Sequence, residues 1–183
     1  MVRNHCYANK DHKRLYFGEV KGGKPDGAGA RIFYGKAYPY IIEGWFYDGL
    51  SKGQGRMVAA NGNCYIGNFY FGEFNREGTF RWANGDVYAG TWNMGKREGE
   101  GIFRWTDGDS FVGTFHQDLR HGKGTFLLAN GDSISGNYEM GNAVGEHLVR
   151  ECRLTYKVSA HQKEGKKKEQ TLEDYVLSAL KLM

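Results

Sequence analysis

The feature that most limits how this chain can fold is an internal repeat of 23 residues. An aromatic or β-branched residue recurs at that spacing, a glycine follows two residues later, and a second aromatic ring follows two residues after the glycine. The best-preserved unit, from Tyr88 to Gly108, reads "YAGTWNMGKREGEGIFRWTDG". A fixed period of this length is typical of repeat architectures in which neighbouring units build one continuous core.

The alternation inside each unit predicts paired β-strands. Residues two apart share one face of a strand, so Tyr88 and Trp92 face the same side. Each unit closes on a hairpin-turn dipeptide such as Asn84-Gly85. If the aromatic residues of successive strands share one face, Phe80 must oppose Tyr88. The connection is then a three-residue hairpin over 83–85 that ends on a left-handed glycine.

The many glycines need a cause, because glycine weakens a strand interior. Within a unit, the same parity can place Trp92 opposite Gly101 and Phe103 opposite Gly90. Each ring would then lie across a bare glycine on the neighbouring strand, an arrangement known as aromatic rescue. Residues on the other face, such as Ala89 and Thr91, predict a mixed and solvated surface.

Three positions depart from the repeated glycines. Arg76, Asp118 and His147 stand where other units have glycine. Because glycine adopts left-handed backbone conformations at little cost, the sequence predicts that three loops differ in shape from the rest.

The pattern Y-x-G-x-[WF]-x-x-G-x-x-x-G-x-G-x-F-x-W-x-[ND]-G resembles the MORN (membrane occupation and recognition nexus) repeat over roughly residues 15–150. The resemblance implies an all-β fold, a single elongated, twisted antiparallel sheet of tandem β-hairpins used as a scaffold. Such proteins occur in cilia and flagella, cytoskeletal rings and membrane junctions. Several bind a partner helix along a sheet groove, some self-associate, and lipid binding has been proposed for others.

The chain divides into three predicted segments. Residues 1–157 form the repeat sheet, with about six repeats over 16–150 and closing strands after them. Residues 158–170, which include the charged run "HQKEGKKKEQ", make a charged linker, and residues 171–183 predict a short amphipathic α-helix. The apolar face of that helix comprises Leu172, Val176, Ala179, Leu180 and Met183.

Most of the net positive charge lies in the C-terminal tail. Residues 1–149 hold 17 Lys plus Arg against 16 Asp plus Glu, whereas 150–183 hold 8 against 5. The near-neutral repeat region argues against nucleic-acid binding, which needs concentrated positive charge. The linker is either a solvated connector or a contact for acidic lipid or an acidic protein. The candidate residues for that contact are Lys163, Lys166, Lys167 and Lys168.

No pattern of residues predicts catalysis. The segment from Gly90 to Lys96 imitates a phosphate-binding loop, but Arg97 occupies the Ser/Thr position and no helix is expected to follow. The six histidines and three cysteines lack metal-ligand spacing, and an odd cysteine count favours a reducing cytosol. The sequence therefore predicts no enzyme, no cofactor and no metal site.

The leading hypothesis is a non-catalytic protein-binding scaffold or assembly adaptor. Its aromatic groove would hold a helical segment of a partner or a second copy of the chain. For each ring, packing within the sheet is the competing interpretation. The alternatives are a membrane-surface tether that binds anionic phospholipid through the basic tail, and the repeat module of a larger protein. By family analogy, the expected setting is cytoplasmic and associated with the cytoskeleton, a cilium or a flagellum. The candidate contact residues are Phe69, Phe80, Trp82, Tyr88, Trp92, Phe103, Trp105, Phe115 and Tyr138.

Overall fold

The computed structural model describes residues 4–8, 14–34 and 38–151, and within these ranges all regular structure is β. Thirteen strands form one antiparallel sheet in which sequence neighbours are also spatial neighbours. The all-β prediction is confirmed; the predicted linker and the C-terminal helix lie outside the described residues. The strands are β1 Asn4–Ala8, β2 Arg14–Lys21, β3 Lys24–Phe33, β4 Tyr40–Tyr47, β5 Leu50–Ala59, β6 Cys64–Tyr70, β7 Glu73–Arg81, β8 Val87–Asn93, β9 Lys96–Arg104, β10 Ser110–His116, β11 Leu119–Leu127, β12 Ser133–Glu139 and β13 Asn142–Arg150.

The connection between repeats follows the predicted three-residue hairpin. Phe80 pairs with Tyr88 across β7 and β8. The Trp82 N–H donates to the Asp86 carbonyl at 2.9 Å, and the Gly85 N–H donates to the Trp82 carbonyl at 2.9 Å. Gly85 has φ +99°, as the left-handed end of this hairpin requires. The predicted pairing is therefore confirmed here.

The predicted register inside a unit is wrong by two residues. Tyr88 opposes Phe103 and Gly90 opposes Gly101, whereas the sequence predicted that rings oppose glycines directly. The difference arises because β8 and β9 join through a two-residue turn at Met94–Gly95, followed by a bulge. Both turn residues have positive φ, as a type I′ turn requires. Met-Gly is not a typical sequence for such a turn, so its position was missed.

The predicted change of loop shape at two of the departures is also wrong. Arg76 has φ +56° and stands where the following units place Gly99, at φ +76°, and Gly122, at φ +68°. Asp118 has φ +73°, close to the +82° of Gly95 in the preceding turn. Both side chains therefore accept the left-handed backbone of the glycines that they replace, at a cost of about 1–2 kcal/mol per residue.

The glycines form an unbroken line across the sheet. From β2 to β12, each strand places one glycine directly opposite the glycine of the next. In the units that begin with Tyr16, Tyr65, Tyr88 and Phe111, that first ring lies over the line on one face. A Cβ atom on Gly101 would come within 2.5 Å of Cε2 of Tyr88, and one on Gly124 within 2.5 Å of Cε2 of Phe111. Glycine is needed because the rings lie flat on the backbone. The members of the line are Gly18, Gly29, Gly44, Gly55, Gly67, Gly78, Gly90, Gly101, Gly113, Gly124 and Gly136.

The core of this single-layer sheet lies on that aromatic face. Tyr65, Tyr88 and Phe111 are fully buried. Their rings meet the second ring of the unit edge to face, as in the pair Phe111–Phe115 with centroids 5.5 Å apart. Tyr88 also donates its hydroxyl to the Thr91 carbonyl at 3.0 Å. Rings from neighbouring strands thus exclude water from one another, which replaces the second layer that most domains need.

The opposite face is less polar than the sequence predicted. On this face Trp45 of β4 is 60% exposed and Ile66 of β6 is 62% exposed, and Phe17 of β2 and Val112 of β10 are exposed as well. The expectation of a mixed, solvated surface relied on residues such as Thr91 and missed the β-branched positions between them. Large apolar side chains therefore remain exposed on this face too, whereas the rings next to the glycine line on the aromatic face are covered.

Hydrogen bonds between successive turns fix the spacing of the units. At the three-residue turns, Asp86 Oδ1 accepts from the Thr106 N–H at 3.1 Å, and Asp109 Oδ1 accepts from the Ala129 N–H at 2.9 Å. At the two-residue turns, the Asp118 N–H donates to the Arg97 carbonyl at 3.1 Å. Each repeat is therefore tied to the next at both ends of its strands.

Candidate functional site: an aromatic and arginine groove

The structure divides the nine predicted contact residues into two groups by exposure. The fully or almost fully covered rings are Phe69, Phe80, Tyr88, Trp92, Phe115 and Tyr138, none more than 9% exposed. Trp82, Phe103 and Trp105 are only partly buried. Direct contact with a partner is thus open chiefly to these three rings. The four predicted lysines of the tail lie outside the described residues.

The partly buried rings form a row along the aromatic face. Trp82 lies 5.2 Å from Phe103 between centroids, and Phe103 lies 4.7 Å from Trp105. Trp105 stacks on Phe126 at 5.6 Å with an interplanar angle of 12°. This ring row, Trp82–Phe103–Trp105–Phe126, combines residues from the ends of two strands with residues just beyond them, because each unit contributes the same positions.

A cavity of about 510 Å³ opens beside the ring row and is called the aromatic groove below. Rings of β9–β11 form its apolar wall, and the turns of two units form its polar rim. Its volume lies within the range of small-molecule and cofactor sites. The lining residues are Arg97, Phe103, Trp105, Asp107, Asp109, Phe111, Phe115, Asp118, Leu119, Arg120, Phe126, Met140, Gly141 and Asn142.

Arg97 places a cation within the groove. Its guanidinium carbon lies 5.3 Å from the ring centroid of Phe115 and 5.5 Å from that of Phe103, distances at which cation–π attraction operates. Its Nε donates to Asp118 Oδ1 at 3.2 Å and its Nη2 donates to the Asp118 carbonyl at 2.7 Å. The turn residue Asp118 therefore holds the guanidinium in a fixed orientation against the rings.

Arg120 repeats this arrangement one unit later. Its guanidinium carbon lies 5.0 Å from the Phe126 centroid and 5.4 Å from that of Tyr138, and Nη2 donates to the Gly141 carbonyl at 2.9 Å. Burial lowers the pKa of the Arg120 guanidinium from its usual value, chiefly through desolvation. The group stays charged at neutral pH, since arginine begins from a pKa above 12.

Sequence reasoning missed both arginines. A signal was present, because Arg97 and Arg120 are 23 residues apart and share one column of the repeat. That column holds Phe74 one unit earlier, and the Phe74 ring stacks on Tyr65 with centroids 3.8 Å apart. The arginines thus take the place of a core ring, which is why their guanidinium groups lie among aromatic side chains.

The carboxylates of Asp107 and Asp109 in the groove accept hydrogen bonds from backbone N–H groups of the turns. Asp109 binds the Ala129 N–H, and Asp107 accepts from the Asp109 N–H at 3.0 Å. Among the residues that the structure describes, no cluster of three or more His, Cys, Asp and Glu side chains is placed to hold a metal ion. Within the same residues, no helix has the length and apolar character needed to cross a bilayer.

Comparison with known families agrees with the geometry. The model of the MORN repeat matches five consecutive segments: 16–34, 43–64, 65–87, 88–110 and 111–133. Because these segments cover more than half of the chain, the protein belongs to the MORN repeat family. Repeats of this family often mediate association with membranes or proteins and are generally non-catalytic. Among curated proteins, none matches the chain significantly.

Proposed function

We propose that the protein is a non-catalytic scaffold or assembly adaptor that binds a helical segment of a partner protein in the aromatic groove. The observation that carries this proposal is the partly exposed ring row beside two oriented arginines. Aromatic residues and arginine are enriched at the energetically dominant positions of protein interfaces. Because these groups are held by packing and hydrogen bonds, little conformational entropy is lost when a partner binds.

The chemistry of the groove defines the partner segment. Its apolar wall fits the apolar stripe of an amphipathic helix, which presents side chains at i, i+3, i+4 and i+7. The cations of Arg97 and Arg120 among the rings of the groove favour acidic residues on the flank of that helix. A second copy of the chain is the competing occupant, and a cytoskeletal or ciliary setting is a proposal based on the family.

The test compares two double variants, one on each face of the sheet. Phe103→Ala with Trp105→Ala removes part of the ring row, and Ile66→Ala with Val112→Ala removes apolar groups from the opposite face. Proteins captured from cell extract by the wild type are identified, and helical peptides from them are titrated calorimetrically. We expect at least tenfold weaker peptide binding only for the aromatic-face pair.

Stability and oligomeric state are measured in parallel. Thermal unfolding shows whether the aromatic-face variant is still folded at the temperature of the titration, and sedimentation detects self-association. Equal binding by wild type and both variants would refute the aromatic groove as the site.

The membrane-surface alternative has its own measurement. It requires binding to vesicles that contain anionic lipid and loss of that binding when Lys163, Lys166, Lys167 and Lys168 are changed to glutamine. Vesicle binding that survives in the Phe103→Ala, Trp105→Ala variant but not in the lysine variant would favour the tether over the scaffold.

A further inference from the structure

A second groove runs along the opposite face of the sheet. Three adjoining cavities of about 430, 570 and 310 Å³ follow the glycine line from β5 to β12. The first two cavities share Glu77, Ala89 and Gly90, and the last two share Lys123. Together they form one shallow channel, called the opposite-face groove below, which is separate from the aromatic groove.

The two sides of this groove differ in polarity. On one side, Ala89, Ile102 and Val112 stand directly opposite one another on β8, β9 and β10. On the other side lie charged groups at the 23-residue spacing, Glu77 on β7, Glu100 on β9 and Lys123 on β11. From β7 to β11 the charged side is therefore negative at Glu77, negative at Glu100 and positive at Lys123. Successive charges are about 10 Å apart, the distance between alternate strands.

We propose that residues 171–183 of the same chain dock as an α-helix in the opposite-face groove, with Thr171 near β11 and Met183 near β7. This inference does not rest on the proposed partner site, because it concerns the other face. A helix of 13 residues is about 20 Å long. The four strand spacings from β7 to β11 span about 19 Å. The apolar helix face would cover the side of the groove that contains Ile102 and Val112.

Charge fixes the direction of the helix. With its N-terminus at β11, Glu173 and Asp174 approach Lys123, and Lys181 near the C-terminus approaches Glu77. The reverse direction would place Lys181 beside Lys123 and acidic side chains beside Glu77. Among residues 14–34 and 38–151, neither Glu100 nor Lys123 forms an ion pair with another side chain. Their charges are thus available to the tail.

The chain enters from the correct end. The last described residue, Glu151, follows β13, which lies two strands and therefore about 10 Å from β11. The segment 152–170 reaches about 60 Å when extended. It is consequently long enough to carry Thr171 to Lys123 without strain, and the helix then continues away from β13 along the groove.

Disulfide trapping in the full chain tests the position. Cys6, Cys64 and Cys152 are first changed to serine, and the free energy of unfolding of that background is measured. Ala89→Cys is then combined with Leu180→Cys, since Leu180 would lie about 14 Å from the helix start, near β8. The matched control combines Trp105→Cys on the aromatic face with the same Leu180→Cys.

We expect an intramolecular disulfide at least fivefold faster in the Ala89 pair than in the Trp105 pair. Faster trapping in the Trp105 pair, products that are mainly dimers, or equal slow rates in both pairs would each overturn the proposal. Dimers would indicate that the segment docks on a second copy.

Charge exchange tests the direction. In the Ala89→Cys, Leu180→Cys background, Lys123→Glu should slow disulfide formation several-fold. Adding Glu173→Lys and Asp174→Lys should restore most of the rate, whereas the same two changes without Lys123→Glu should slow it. If none of the three substitutions changed the rate of disulfide formation, the proposed direction would be contradicted. Because no partner is present in these experiments, their outcome is independent of the scaffold proposal.

Discussion

The two faces of the sheet are made by alternating residues of the same strands, yet the rings beside the glycine line on one face are buried, whereas large apolar side chains of the other remain exposed. On the aromatic face, Phe111 is completely buried because its ring covers the glycine line and meets rings of neighbouring strands. Its neighbour Val112, on the opposite face, remains 39% exposed. A single-layer sheet can therefore build a core on one face when large rings alternate with glycines, while apolar side chains of the other face remain exposed.

Truncation of both neighbours to alanine tests the difference between the two faces most directly. Phe111→Ala should lower the free energy of unfolding by about 3–5 kcal/mol, since it removes a buried ring and leaves a cavity. Val112→Ala should cost at most about 1 kcal/mol, because the side chain is partly solvated already. Urea denaturation measures both values. Similar losses for the two variants would show that the faces share the burial energy.

Adding a methyl group beneath a ring tests the role of the glycine line. Gly101→Ala should cost about 1–3 kcal/mol, because the new Cβ would overlap Tyr88. The control Gly99→Ala meets no atom closer than 3.5 Å and bears only the strain of φ +76°, about 1–2 kcal/mol.

A double-mutant cycle separates overlap from backbone effects at this position. If the ring is the cause, Gly101→Ala costs far less in a Tyr88→Ala background, as urea denaturation of all four proteins would show. An unchanged cost in that background would assign the effect to the backbone of Gly101 instead.

The bonds between turns are expected to matter less than the rings. Asp109→Ala removes the acceptor of the Ala129 N–H and should cost about 1 kcal/mol in thermal or urea unfolding. Asp109→Asn retains an oxygen at that position and should recover most of the loss. If asparagine were as damaging as alanine, the charge rather than the hydrogen bond would stabilise this end of the strands.

The smallest expected effect is a dependence on alkaline pH. Burial raises the pKa of the Tyr88 hydroxyl to about 12, against about 10 in an unfolded chain. Between these values the unfolded state binds fewer protons, so the free energy of unfolding falls as pH rises. The contribution is complete below pH 10 and is lost as pH approaches 12.

Tyr88→Phe isolates this titration, because the next unit already has phenylalanine at the equivalent position, Phe111. Urea unfolding at several pH values from 8 to 12 should show a shallower decline for the variant than for the wild type. Parallel pH profiles would mean that Tyr88 ionises alike in both states.

Much of the candidate site depended on information that the sequence pattern lacks. The repeat placed Trp82, Phe103 and Trp105 on one face correctly, and these form the ring row. It did not separate them from Tyr88 or Phe115, which occupy the same face but are covered by neighbours. The burial of a ring depends on which rings of the neighbouring unit pack against it, and alternation within a strand does not specify those contacts. The arginines were missed because charged residues are rarely expected within a core.

Local signals were enough to predict the 23-residue unit, the strands, the face of the rings and the three-residue turns, because period-two alternation and the Asn-Gly or Asp-Gly dipeptides act over a few residues. The register within each unit depends instead on packing between neighbouring strands. A slip of two residues keeps every side chain on its face, so alternation permits both registers. The observed register is the one with the two-residue turn at Met94–Gly95 and the glycines aligned. In it, rings such as Tyr88 lie flat across paired glycines, a contact that forms only when the neighbouring strand is in place.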